Sequence, residues 1–223
     1  MNFKGVIFDL DGVLVDTASC HFEAWKQLAD ELEIPFTEKQ NEQLKGVSRQ
    51  TSLNILLSLK QPSDSYTEQD KQLFMKKKND HYLTLIEKTN QSFILPGAKE
   101  AILYLKDKNV KIILGSASKN ARKILEKTGL LPYFDAIIDG NQVKKAKPDP
   151  EVFTKGRTAC KLPPEKCLVV EDSEAGCQAA KAAGMLAMGI GHPENLPTAS
   201  IVIPSMLTFI DSYHELEKKK TQK

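Results

Sequence analysis

What most constrains this chain is a series of short apolar runs, each too continuous to leave one face in water. The first lies within Lys4–Leu10 and holds Val6, Ile7, Phe8 and Leu10; the others are Val110–Leu114, Ala136–Ile138, Cys167–Val170, Leu186–Ile190 and a brief Val202-Ile203. Runs of this kind read as strands buried on both faces, which is the interior of a parallel sheet. Parallel neighbours need a long crossover, usually a helix. The intervening segments supply them: helices near Ala98–Asp107, from Lys119 to about Thr128 closed by Gly129, from Pro150 to about Cys160, from Glu174 to Ala183 closed by Gly184, and from about Ser205, fraying into Lys218-Lys219-Lys220.

The alternation is broken once. Between Asp16 and Asn90 there is no convincing strand and the period turns helical. Phe22, Trp25, Leu28, Ala29 and Leu32 form one apolar stripe, capped by Asp16 or Thr17 and ended by Pro35. Thr37 with Gln40 signals a second helix, Ser48 ahead of Leu53, Leu56, Leu57 and Leu59 a third, and a long one starts near Thr67 after a polar loop at Gln61–Ser65. The expected architecture is a Rossmann-like α/β parallel-sheet core from residues 1–15 and 91–223, with an inserted α-helical cap domain at 16–90. In open parallel sheets ligands collect beyond the carboxyl ends of the strands, so the active cleft should lie between core and cap.

Composition narrows the function class. With 31 basic against 29 acidic side chains, a net charge of +2, the 223-residue chain lacks the overall field of a dedicated nucleic-acid binder. No apolar stretch approaches the roughly 20 residues of a membrane span, and the N-terminus is too short in apolar residues for a signal peptide. Cys20, Cys160, Cys167 and Cys177 show no CxxC or zinc spacing and read as reduced thiols. A cytoplasmic monomer acting on small molecules is expected, with no nucleic-acid or membrane partner.

The chemistry sits where the runs end. Asp9-Leu10-Asp11-Gly12 follows the first strand, Gly115-Ser116 the second, Lys147 the third, and Glu171-Asp172 the fourth. A calcium loop would need a helix before it, glycine at the sixth position and glutamate at the twelfth; here Leu14 and Cys20 stand there. Asp9 and Asp172, with the carbonyl of residue 11 and waters, suit a hard cation such as Mg²⁺. Lys147 and Ser116 can grip phosphate oxygens, Asp9 can attack phosphorus in line, and Asp11 can act as general acid and base.

These elements resemble the four motifs of the haloacid dehalogenase superfamily. Asp9–Thr17, His21-Phe22, Ala24-Trp25-Lys26, Asn41–Arg49, Lys78-Asn79-Asp80, Ser116–Asn120 and Tyr133–Ile137 are more specifically similar to its β-phosphoglucomutase family. The resemblance implies an intramolecular phosphotransferase interconverting β-D-glucose 1-phosphate and D-glucose 6-phosphate through a phosphorylated Asp9 and β-D-glucose 1,6-bisphosphate, with Mg²⁺ as cofactor. It implies that Arg49 receives the non-transferring phosphate within a basic loop of Lys45, Gly46, Val47 and Ser48. Thr17 and His21 would position Asp11. Trp25, Leu44, Ser52 and Lys78 would enclose substrate from the cap, and Ser116, Ala117, Ser118, Lys119 and Asn120 from the core. Asp9, Asp11, Glu171 and Asp172 would form the metal edge, Glu171 directly or through water.

Two departures from the family pattern stand out: Gly115 replaces a familiar alanine, expected to loosen the backbone, and the segment from Gln142 to Ala146 is rich in substitutions. A sugar-phosphate phosphatase using the same Asp9 intermediate is the main alternative. A phosphonate hydrolase would need a cap lysine for imine chemistry, of which Lys45 and Lys78 give no independent sign. A catalytically silent binding protein would sooner have lost Asp9 or Asp11.

Overall fold

The computed structural model describes residues 3–60 and 66–221; the loop expected at Gln61–Ser65 lies outside them. Six strands form one parallel sheet: β1 (Gly5–Phe8), β2 (Lys111–Gly115), β3 (Ala136–Ile138), β4 (Cys167–Glu171), β5 (Leu186–Ile190) and β6 (Ile201–Ile203), in the order β3-β2-β1-β4-β5-β6. Each coincides, within a residue or two, with an apolar run of the sequence.

The pleat sends alternate side chains to opposite faces. Val6, Phe8, Ile112, Leu114, Leu168 and Val170 join one buried cluster with α5 (Ala98–Asp107), α6 (Ala121–Thr128) and α9 (Phe209–Thr221). Ile7, Ile113, Cys167 and Val169 join another with α7 (Glu151–Ala159) and α8 (Glu174–Ala182). Both faces are covered, which is why the strands are not amphipathic. The last helix runs to Thr221, through the lysine run at its end.

Five helices lie between β1 and β2 in the chain; the fifth is α5, and the first four, α1 (Ala18–Glu31), α2 (Glu38–Asn41), α3 (Arg49–Ser58) and α4 (Glu68–Ile86), fall in the insert. They have their own apolar cluster around Trp25, Leu28, Ala29, Phe36, Leu53 and Leu56. Cys20, Ala24, Tyr82 and Ile86 instead join the cluster of the sheet, seating α1 and α4 on the core. The two connecting segments are hydrogen bonded to each other, Asp16 N–H to Phe93 C=O at 2.8 Å and Leu95 N–H to Leu14 C=O at 3.0 Å. Among the described residues no helix is long and apolar enough to cross a membrane.

Three local expectations need correction. Thr17 occupies the N-cap position of α1 but makes no side-chain cap bond, because its hydroxyl donates to Asp11. Helix α1 ends at Glu31, before Pro35; Glu33, at φ 57°, has already left helical geometry. Gly115 does not loosen the backbone. It sits in β2, where a Cβ would come within 2.9 Å of the Phe153 ring and 3.0 Å of Ile7, so its missing side chain is packing space filled by Phe153.

Candidate active site

Register explains why the motifs meet. Phe8 is level with Leu114 on one side and Val170 on the other, so Asp9, Gly115 and Glu171 leave the sheet side by side, with Ser116 and Asp172 one residue beyond. Beyond this edge, at the centre where β1 is flanked by β2 and β4, opens a cavity of about 610 Å³ between the sheet and helices α1, α3 and α4. That volume suits a small polar ligand. Of the residues singled out from the sequence, all but Thr17 and Glu171 border it.

On the sheet side, Lys147 is the electrostatic pivot. Its buried ammonium donates to Asp9 Oδ1 at 2.6 Å and to Glu171 Oε1, and lies 4.9 Å from the centre of the Phe153 ring. Burial alone would lower its pKa, but Asp9 and Glu171 outweigh burial and hold it above the ordinary lysine value. The other Glu171 oxygen accepts from the Ser173 backbone N–H and hydroxyl, so both Glu171 oxygens have protein donors. Ser116 is buried, and its Oγ accepts the Ser118 N–H at 3.1 Å, shaping the loop after β2.

The carboxylates crowd one another. Burial, opposed by Lys147 and reinforced by Glu171 and Asp11, raises Asp9 to about 7. Burial, Glu171 and Asp9 push Asp172 well above its usual range. Gly12 lets this happen: it has φ +77°, and a Cβ there would overlap the Asp172 carboxylate. Asp9 and Asp172 thus share a crowded carboxyl edge, which Lys147 and, on the Asp172 side, Lys45 oppose. Among the described residues no three acidic, histidine or cysteine side chains form a closed metal cage. Such an oxygen-rich edge fits Mg²⁺, which is commonly held by one or two carboxylates while waters and a substrate phosphate fill the rest of its shell.

Asp11 belongs to a second network. Its Oδ1 accepts the Thr17 hydroxyl and lies 3.8 Å from His21 Nε2. Burial raises the Asp11 pKa, while Thr17, Lys78 and Lys147 oppose the rise. Lys78 Nζ is hydrogen bonded to His21 Nδ1 at 2.9 Å; in the tautomer in which the lysine donates, Nε2 carries the imidazole proton facing Asp11. Burial, then Lys78 and Arg49, keep His21 neutral by pushing its pKa well below the usual value. Lys78 is itself buried between the rings of Trp25 and Tyr82, 4.8 Å from each, and burial with the nearby Arg49 lowers it to about 7.

The loop after the short 3-10 turn at Glu42–Leu44 closes the cavity from the cap. Gly46, at φ +71°, packs where a Cβ would overlap Ser173 Oγ, so the cap backbone touches the core one residue from Asp172. Ser48 caps α3 by accepting the Thr51 N–H at 3.1 Å, and Arg49 begins that helix. Ser52 donates to the Ser48 carbonyl at 3.1 Å and holds the loop. Among the cavity residues to which the sequence reading gave no role are Asn79, which accepts from Arg49 Nη2 at 2.7 Å, and Tyr82, whose ring stacks on His21 with centroids 4.1 Å apart. On α4 Tyr82 lies one turn from both Lys78 and Asn79, four residues after the first and three after the second, and that spacing was the available signal.

Comparison with known proteins agrees with this geometry. Residues 3–184 match the haloacid dehalogenase-like hydrolase family. The chain is 42% identical over 200 residues to the β-phosphoglucomutase of Bacillus subtilis, covering 90% of this chain and 88% of that protein. It is 35% identical over 195 residues to a phosphorylated carbohydrates phosphatase of Thermotoga maritima, covering 86% and 87%. A crystal structure of β-phosphoglucomutase from Clostridium difficile superposes with a TM-score of 0.89 at 37% identity, over 96% of this chain and 98% of that one. A parallel α/β core with a helical cap, an aspartate at the end of its first strand and this degree of identity together make the chain an enzyme of the haloacid dehalogenase-like hydrolase family, working through a phosphorylated aspartate.

Proposed function

We propose that the chain is a β-phosphoglucomutase, converting β-D-glucose 1-phosphate to D-glucose 6-phosphate, with 16–90 as its cap and 1–15 and 91–223 as its core. The observation that carries the reading is that one cavity has an anionic, metal-suited edge at Asp9 and Asp172 and a guanidinium, Arg49, on the cap. A phosphatase requires only the first; a sugar bisphosphate has a use for both.

In the proposed cycle phosphorylated Asp9 gives its phosphoryl group to the substrate 6-hydroxyl. The bond from phosphorus to the Asp9 oxygen breaks as that to O6 forms, and Asp11 takes the hydroxyl proton. The resulting β-D-glucose 1,6-bisphosphate turns end for end. Asp9 then attacks the 1-phosphate while Asp11 returns the proton to the departing C1 oxygen. A raised Asp11 pKa suits a group that must both hold and release a proton. Lys147 orients Asp9, and with Ser116 it meets the charge on the phosphoryl oxygens. Asp9 and Asp172 would hold Mg²⁺, with Glu171 acting through Lys147 and Ser173; the ion supplies charge neutralisation between carboxylate and phosphate. Thr17 and the neutral His21 keep Asp11 aimed, Arg49 and the Ser116–Asn120 loop receive the second phosphate, and Trp25, Leu44 and Lys78 exclude water. Core and cap of a single chain supply every group, so the reading is of a monomer.

The test supplies β-glucose 1-phosphate, Mg²⁺ and a trace of β-glucose 1,6-bisphosphate, and follows glucose 6-phosphate and free phosphate separately. Glucose 6-phosphate should dominate, and Arg49→Ala should reduce its formation about tenfold more than hydrolysis of a small phosphoryl donor. Predominant release of free phosphate would instead favour a sugar-phosphate phosphatase, the reading to which the Thermotoga relative points.

A further inference from the structure

Arg49 is a cap cation facing the cavity, yet its closest side-chain partner is a neutral amide. Asn79 Oδ1, on α4, accepts Arg49 Nη2 at 2.7 Å. The same oxygen accepts Nδ2 of Asn120, in the core loop after β2, at 3.3 Å. One carboxamide oxygen therefore joins two cap helices and ties both to the core. Asn120 is held in turn: its backbone N–H donates to Ser118 Oγ at 3.2 Å.

The choice of a neutral acceptor matters physically. Partial burial already lowers the Arg49 pKa, with Tyr82 and Asp80 opposing the change from a distance. A carboxylate at position 79 would give a stronger, charge-assisted bond but would cancel the field that an incoming phosphate needs. An amide orients the guanidinium fork and leaves its charge to the ligand. Because Asn120 shares the acceptor, the orientation is complete only when the cap rests on the core.

We propose that Asn79 is a positioning residue, which aims Arg49 at the distal phosphate without neutralising it and, through Asn120, makes that aim depend on cap closure. This rests on the reading of Arg49 as a phosphate receiver. It predicts a preference for ligands bearing a second phosphate.

The experiment compares β-glucose 1,6-bisphosphate with acetyl phosphate, which has no distal phosphate, as donors to Asp9 in the Mg²⁺-loaded full-length enzyme, reading initial donor consumption. Asn79→Ala should raise KM for the bisphosphate about tenfold relative to that for acetyl phosphate. Asn79→Asp should raise it at least as much, while its melting temperature equals or exceeds that of the unaltered protein. Adding Asn79→Ala to Arg49→Ala should produce no further loss. A purely structural role would leave Asn79→Asp with an unaltered KM ratio, and that result would overturn the proposal; so would equal effects on both donors, or additive effects in the double variant. Donor consumption is read whether the product is isomerised sugar or free phosphate, so failure of the mutase reading is seen separately.

Discussion

Replacing Lys147 with Met tests the electrostatic core of the site. The ammonium is fully enclosed and serves Asp9 and Glu171 together, so a side chain of similar length but no charge leaves two buried carboxyl groups without their shared cation. Removing one partner of a buried ion pair costs about 3–5 kcal/mol when the remaining charge stays ionised. The cost must depend on pH. With its lysine present Asp9 is already raised to about 7, so in the metal-free folded protein it keeps a proton that the unfolded chain gives up above about pH 4. A carboxyl raised in this way loses stability for the fold as pH climbs from the unfolded value through the folded one. Lys147, raised above the ordinary lysine value, stays charged throughout that window and its contribution is constant there. Without Lys147, the Asp9 value must rise further. At pH 5.5 a protonated Asp9 removes much of the penalty; at pH 8 about 4 kcal/mol should be missing, or roughly 10 °C in melting temperature for a chain of this size. Thermal unfolding in EDTA at both pH values measures this directly. An equal loss at the two pH values, or less than about 1 kcal/mol at pH 8, would refute the account of Lys147 as the counter-charge of the nucleophile.

Gly12→Ala should raise the Mg²⁺ concentration needed for half-maximal activity at least tenfold, since a Cβ at φ +77° would displace the Asp172 carboxylate; metal titration of initial rates checks it. Gly115→Ala should cost about 1–3 kcal/mol in urea unfolding because Phe153 already occupies the space, and pairing it with Phe153→Leu should recover part of the loss. In EDTA the unaltered protein should itself lose stability from pH 5.5 to 8, and Mg²⁺ should restore more at pH 8 than at pH 5.5, read as the shift in melting temperature.

The sheet was legible because burial on both faces leaves a pattern in the residues themselves: Ala136–Ile138 and Leu186–Ile190 are strands with those same limits. Caps were legible for the same local reason. Ser48 and Thr67 each cap the helix that follows, with side-chain acceptors that need only three residues of sequence to act. The carboxylates, Ser116 and Lys147 were legible as a set because each follows a strand, and parallel strands in register deliver their ends to one edge.

Sequence alone therefore determined the α/β core, the helical insert and the chemical inventory of the site, since periodicity and motif act over short distances along the chain. What only the tertiary structure decided were pairings between residues far apart in sequence. Thr17 offered itself as a helix cap or as a positioner of Asp11, and the fold gives its hydroxyl to Asp11; Glu171 offered itself to a metal directly or through water, and the fold sets Lys147 and Ser173 against its oxygens. Asn79 draws its importance from Arg49, thirty positions away, and Asn120, forty-one away. A short polar side chain bonds to whatever donor or acceptor the fold brings within about 3 Å, and that choice is made by packing, which leaves no period in the sequence.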